Sequence, residues 1–256
     1  MDLKQLLSEK QAILYQQYVD GGLLVVKETE HYRWFEYGNV SVQSLMSLAS
    51  SEKILLPVYQ SLLLFLLWNN KPLKVLNLGL GGASVERALA VVPNVSLTSV
   101  DASQAVIDMA KRYFNLPQNV DVVCQKAEQF VAQTNEQYNV VLCDLFVGSS
   151  SPKFLQTQDF YAQLSKITLA DATVIINLQA DTDEQLLHAL VSVKKYFPYT
   201  AIIEFDDYSN IVIIASLHEI PDKTLLQKRL MEFNFLELDC LEHVIGKMRY
   251  IRRSNN

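Results

Sequence analysis

Apolar residues along the chain fall into two alternating textures. Short continuous runs at 75–78, 95–100, 120–124, 138–143 and 172–178 read as buried strands, and between them apolar residues recur at helical spacing, as at Ala105, Val106, Met109, Ala110 and Tyr113. Alternating strands and helices, with few Pro or Gly inside them, predict a parallel sheet wound on both faces. In such folds ligands bind beyond the carboxyl ends of the strands. Two later runs, 200–205 and 210–216, are joined by a connection too short for a crossover helix, so they are expected to pair antiparallel.

The first 50 residues have a different texture. Leu3, Leu6, Leu7, Ile13, Leu14 and Tyr18 trace a broken helical pattern over 3–18, and β-rich residues at 22–42 with a Gly38-Asn39 turn predict a small β-hairpin unit. We therefore expect a helix and hairpin unit over 1–50 and a Rossmann-like domain over 51–256. Ser50 or Ser51, with Glu52 in the first turn, is expected to cap a helix that is apolar nearly all round to Trp68. Tyr59 and Gln60 lie inside it and either face a ligand or are satisfied within the core. Pro221 opens a last helix through Leu225, Leu226, Leu230 and Met231, and the basic tail with His243, Lys247, Arg249, Arg252 and Arg253 reads as a solvated or subunit-contacting end.

Candidate chemistry gathers where strands end. Val75, Leu76 and Leu78 run into Gly79-Leu80-Gly81-Gly82-Ala83-Ser84, and a helical pattern follows through Val85, Leu89 and Val92. Such a turn lets backbone approach a nucleotide and presents N–H groups to it, and Asp101 at the tip of the next strand is placed to accept ribose hydroxyls. Ser84 stands where a dinucleotide fingerprint carries its third glycine. The alternative is a tight strand-to-helix turn beside a solvated acid. The strand at 139–143 delivers Asp144 into Leu145-Phe146-Val147-Gly148-Ser149-Ser150-Ser151-Pro152, a small-residue loop suited to closing over a ligand. The competing reading is a surface loop whose Asp bonds its own backbone.

Composition narrows the classes. With 256 residues, 50% hydrophobic and 20% charged, the chain can bury a full core, and a net charge of −6 disfavours a general nucleic-acid binder while suiting a cationic substrate. Cys124, Cys143 and Cys240 have no close spacing and read as core thiols in a reducing cytosol. The run at 62–68 is far short of the ~20 residues that span a bilayer, and the N-terminus has no basic segment followed by a hydrophobic one. A cytoplasmic, non-membrane protein is expected. His31, His188, His218 and His243 are scattered, and no metal site is visible.

The antiparallel ending resembles class I S-adenosylmethionine-dependent methyltransferases, whose sheet has seven strands. Within that superfamily the N-terminal hairpin, Gln43-Ser44, Tyr59, VLNLGLGGASVERAL, Asp101 and VVLCDLFVGSSSP followed by FYAQLSKITLADATVIINL resemble the spermidine synthase family over about residues 20–217. The resemblance implies transfer of an aminopropyl group from decarboxylated S-adenosylmethionine to an amine acceptor, without metal, in a homodimer joined through the N-terminal unit. It implies that Asp144 is the catalytic acid–base residue. Gly79, Gly81, Gly82, Asp101, Ala127, Glu128 and Gln43 would bind the donor, and Tyr59 would line the substrate pocket.

The sequence departs from the family pattern at three places. The glycine turn carries Gly82 where the family has an Asp for the donor's amine, and Val147-Gly148-Ser149-Ser150 lacks the family's second, diamine-binding acid. Lys126 stands where an Asp meets the adenine amino group, with Glu128 nearby. Asp206 and Asp207 are candidates to compensate in the substrate pocket. The departures keep two other readings open. A bare glycine turn suits a donor that retains its carboxylate, hence a methyltransferase using S-adenosylmethionine itself. A catalytically idle binding protein on the same fold is the third, since fold alone does not assign function.

Overall fold

The computed structural model describes residues 9–19, 21–38, 40–69, 71–146 and 150–252. Two sheets organise them. The first is an antiparallel meander of β1 (Ala12–Val19), β2 (Gly22–Glu28), β3 (Tyr32–Tyr37) and β4 (Val40–Ser47), in that spatial order. The expected helix over 3–18 is thus replaced, in its described part, by a strand. Tyr15, Tyr18 and Val19 favour a pleated surface, and pairing with β2, from Ala12 opposite Glu28 to Val19 opposite Gly22, outweighs the weak helical spacing. Residues 3–8 of that expectation lie outside the described residues.

The linker helix also differs. Pro57 opens α1 (Pro57–Leu62), Leu56 is its N-cap without a side-chain bond, and a short 3-10 turn, Leu64–Leu67, follows. Proline is accepted in the first turn because its missing N–H has no helical partner there, so the helix begins after Ser50, Ser51 and Glu52 rather than on them. Its all-round apolar character holds: Val58 and Leu62 through Leu67 are buried.

The second sheet has eight strands, one more than expected. They are β5 (Leu73–Leu78), β6 (Val95–Asp101), β7 (Asp121–Cys124), β8 (Tyr138–Cys143), β9 (Thr168–Gln179), β10 (Tyr199–Glu204), β11 (Asn210–Ser216) and β12 (Arg249–Ile251). Their order is β12-β10-β11-β9-β8-β5-β6-β7. Strands β7, β6, β5, β8 and β9 are parallel, and β9, β11, β10 and β12 are antiparallel. The extra strand comes from the basic tail, which pairs Ile251 opposite Thr200 instead of lying free.

Helices α2 (Ser84–Ala90), α3 (Gln104–Tyr113), α4 (Ala127–Gln133), α5 (Gln158–Lys166), α6 (Asp183–Lys194), α7 (Lys223–Glu232) and α8 (Leu241–Lys247), with a 3-10 turn at Lys153–Gln156, are the remaining regular elements of the described residues. Strand pleating divides the core. Val75, Val140, Leu142, Ile175 and Val212 pack with α1, α2, α7 and α8, whereas Leu76, Val141, Cys143, Val174, Ile176 and Ile213 pack with α4, α5 and α6. By the same parity Asn77, Asp144, Asn177 and Asn210 belong to the α1–α2 face. The first sheet closes on α3 through Phe35, Met46, Met109 and Phe114. Among the described residues no helix is long and apolar enough to cross a membrane.

Candidate active site

Gly79 ends β5 and decides how closely the next parts approach. Its φ of 101° suits glycine, and a Cβ there would collide with the Asp144 carbonyl oxygen, because the main chain just past β8 lies against the turn. The ladder continues beyond the strands: Gly79 N–H donates to Val100 O and Asp144 N–H to Leu78 O, both at 2.8 Å. The glycine turn, Asp101 and Asp144 therefore form one rigid edge.

The turn is supported from below. Asn77 Nδ2 donates to Gly79 O at 3.0 Å and to Glu86 Oε1 at 2.6 Å, and Ser99 Oγ donates to the same Glu86 oxygen at 2.6 Å. Glu86 is fully buried, and burial pushes its carboxyl up toward the neutral acid. Among the described residues Glu86 Oε2 and Asn77 Oδ1 find no partner. Arg87, also buried, bonds Ser51 O, Gly82 O and Phe114 O, tying the linker, the turn and the end of α3 together. These supports were missed as site residues. The signal for them was a polar residue inside an apolar strand and a charged pair on a buried helix.

Asp101 is held by main chain. Its Oδ2 accepts from Leu80 N–H at 3.1 Å and its Oδ1 from Ser103 N–H at 2.9 Å. Ser103 is the N-cap of α3 and makes no side-chain capping bond. Burial raises the Asp101 carboxyl, and the backbone amides of Ser103, Leu80 and Gly81 pull it back. Each oxygen keeps acceptor capacity for a ribose hydroxyl.

Asp144 is held by side chains. Asn177 Nδ2 donates to its Oδ1 at 2.7 Å, and Asn210 Nδ2 donates to Asn177 Oδ1 at 3.0 Å. Burial pushes Asp144 up to about 6 against the lowering bonds of Asn177 and Tyr59. The Tyr59 hydroxyl donates to Gln43 O at 2.8 Å and is pushed well above the ordinary phenol range, first by burial and then by Asp144. A phenol has one proton, so Asp144 and the Gln43 carbonyl compete for it. Tyr59, Gln43, Asp144, Asp101 and the glycine turn are thus brought to one end of the sheet.

The remaining candidates divide. Ser44 of β4 explains Gly82: a Cβ there would come within 2.7 Å of Ser44 Cβ, and Ser44 Oγ pairs with Ser84 Oγ at 3.0 Å. Gly81 has a φ of 50° and faces the Phe35 ring. Ala127 is buried in the core at the start of α4, with half-buried Glu128 in its first turn. Asp206 and Asp207 follow β10 at the same end of the sheet but are exposed. Lys247 pairs with Asp206 at 2.5 Å, which lowers the Asp206 carboxyl, so that acid is already matched by a neighbouring cation. Among the described residues no cluster of three or more His, Cys, Asp or Glu is arranged to hold a metal ion.

Residues 56–219 match the spermine/spermidine synthase domain model, which is well over half of the chain. The chain belongs to the spermine/spermidine synthase family. A polyamine aminopropyltransferase of Chromobacterium violaceum is 27% identical over 156 residues, covering 59% of this chain and 60% of that protein. The match therefore spans under two thirds of that relative's length. A probable spermidine synthase from Corynebacterium glutamicum superposes with a TM-score of 0.76 at 14% identity, covering 96% of this chain and 92% of that one. Human methyltransferase-like protein 13, in complex with SAH, gives 0.60 at 19% identity, covering 76% and 95%. The family model gives the family, and the two solved structures share the fold.

Proposed function

We propose that the protein transfers an aminopropyl group from decarboxylated S-adenosylmethionine to a small amine, with Asp144 as the proton acceptor. The observation that carries this is the half-buried Asp144, with a carboxyl near pH 6, set beside a glycine turn and a ribose-type acid and bonded by Asn177 and Tyr59. A bound adenosyl sulfonium supplies a carbon activated by its bond to positive sulfur. The chain's part is to place and deprotonate the nucleophile. An amine with a pKa of ~10 is cationic at neutral pH and has no lone pair to attack with. Asp144, ionised above about 6, orients the amine and takes its proton as the nitrogen–carbon bond forms and the carbon–sulfur pair returns to sulfur. Asp101 and the glycine turn hold the adenosine end, and positioning supplies much of the acceleration.

A second reading keeps the same donor site but uses intact S-adenosylmethionine as methyl donor. Ser44 favours it, because it occupies the space beside Gly82 and leaves the turn without an acid against which a donor carboxylate would be repelled. Mass spectrometry of protein incubated with each donor, with and without putrescine, separates the readings. Methylthioadenosine with an enlarged amine supports the first. S-adenosylhomocysteine supports the second, and the absence of both products with every amine rejects both.

A further inference from the structure

The pleat places Asp144, Asn177 and Asn210 on one face across three neighbouring strands. Val212 lies opposite Asn177 in the β9–β11 pair, so Asn210, two residues earlier, shares its face and sits one step outward. Asn177 is 2% exposed, and both ends of its amide are engaged: Nδ2 toward Asp144 and Oδ1 toward Asn210 Nδ2. This direction is chemically meaningful. An ionised carboxylate only accepts, so Asn177 must present its NH₂ group to Asp144, and its buried carbonyl then needs a donor. Asn210 is that donor.

We propose that Asn210 is a positioning residue that locks the Asn177 amide with its NH₂ group toward Asp144, keeping Asp144 ready to accept a proton. The inference rests on the reading of Asp144 given above, although the lock itself stands on the two hydrogen bonds. Without a donor at position 210 the Asn177 amide is free to turn over, since its O and N are nearly equal in size. The turned amide presents a carbonyl, which stabilises Asp144 only when protonated. The other titratable groups near this spot are Tyr59 of α1, Glu86 of α2, which acts on Tyr59, and Cys143, which adjoins Asp144 in the chain but points to the opposite face of the sheet. Burial raises all three, and none of them is a cation that could take over the role of the amide.

The test does not require turnover. Carbon-13 NMR titration of carboxyl-labelled aspartates, with the Asp144 signal identified by its loss in Asp144→Asn, reads the carboxyl directly in wild type, Asn210→Ala, Asn210→Asp and Asn210→Gln. Asn210→Ala is expected to move the midpoint up by about one pH unit, the worth of a misdirected hydrogen bond to a charged group. Asn210→Asp, which offers only acceptors and adds charge, is expected to move it further, and Asn210→Gln, which restores a donor, is expected to stay near wild type. An unchanged midpoint in both the Ala and Asp variants overturns the lock. So does a shift in Asp alone, which would be plain charge repulsion. If the midpoints move as expected but no donor and amine give product, the lock stands and the proposed reaction fails.

Discussion

Asp101 and Asp144 terminate the strands on either side of β5, and both are raised by burial, yet they are held in opposite ways. Asp101 is fixed by main-chain N–H groups that cannot turn or titrate. Asp144 is fixed by an amide and a phenol, which can respond to its charge. A backbone cradle keeps a carboxylate as a constant acceptor for neutral hydroxyls. A side-chain cradle suits a group whose protonation changes during a reaction, and Asp144 is driven up to about 6.

Gly79→Ala should erase the contrast altogether. The left-handed backbone and the collision with the Asp144 carbonyl are together expected to cost about 2–4 kcal/mol, with both sites lost; a thermal melt within a degree of wild type would show that the two tips are not tightly abutted. Asp144→Asn should separate them next. Turnover is expected to fall ~10²–10⁴-fold while donor affinity stays nearly unchanged, as for loss of general-base catalysis, and calorimetry beside single-turnover kinetics checks this. Equal losses in both would make Asp144 a structural residue. Asp101→Ala should act in the other direction, weakening adenosyl-sulfonium binding by ~10–100-fold, the worth of a charge-assisted bidentate contact, and leaving the pH dependence of turnover in place.

A smaller effect tests the donor. Gly82→Asp alone meets Ser44, so the acid should be introduced together with Ser44→Gly. The double variant is expected to prefer decarboxylated over intact S-adenosylmethionine by about tenfold relative to wild type, from one added charge contact, measured by competitive binding. A preference in the opposite direction removes the electrostatic account of this turn. A last test concerns stability. Asp144 holds its proton to about 6 when folded, against an ordinary value of 3.8. Between those values the folded chain binds more protons than the unfolded one, so this residue's contribution to stability is complete below pH 3.8 and is lost as pH rises through about 6. Asp144→Asn should flatten that part of the ligand-free stability curve, as denaturant midpoints at several pH values would show.

Much of the site was legible because its parts are local. Strand, glycine turn and following helix are neighbours in sequence, and an acid directly after an apolar run is placed by that run. The miscalls have physical causes too. The N-terminal strand was read as helix because its spacing was judged without β2, which supplies its partner. The pairing of Asp206 was likewise not legible, because Lys247 lies some forty residues on and no local pattern shows that it folds back. The tail strand β12 has only three residues, too few for any period to be visible.

The sequence by itself determined the alternating fold, the glycine turn, and the two acids at strand tips, because apolar periodicity and turn chemistry act over a few residues. Tertiary structure alone decided what surrounds those acids. Ser44 fills the space beside Gly82, Tyr59 stands by Asp144, and Asn177 and Asn210 line up across three strands. These contacts join residues 33 to 85 positions apart, and strand order and pleat parity, rather than any local pattern, bring them within bonding distance.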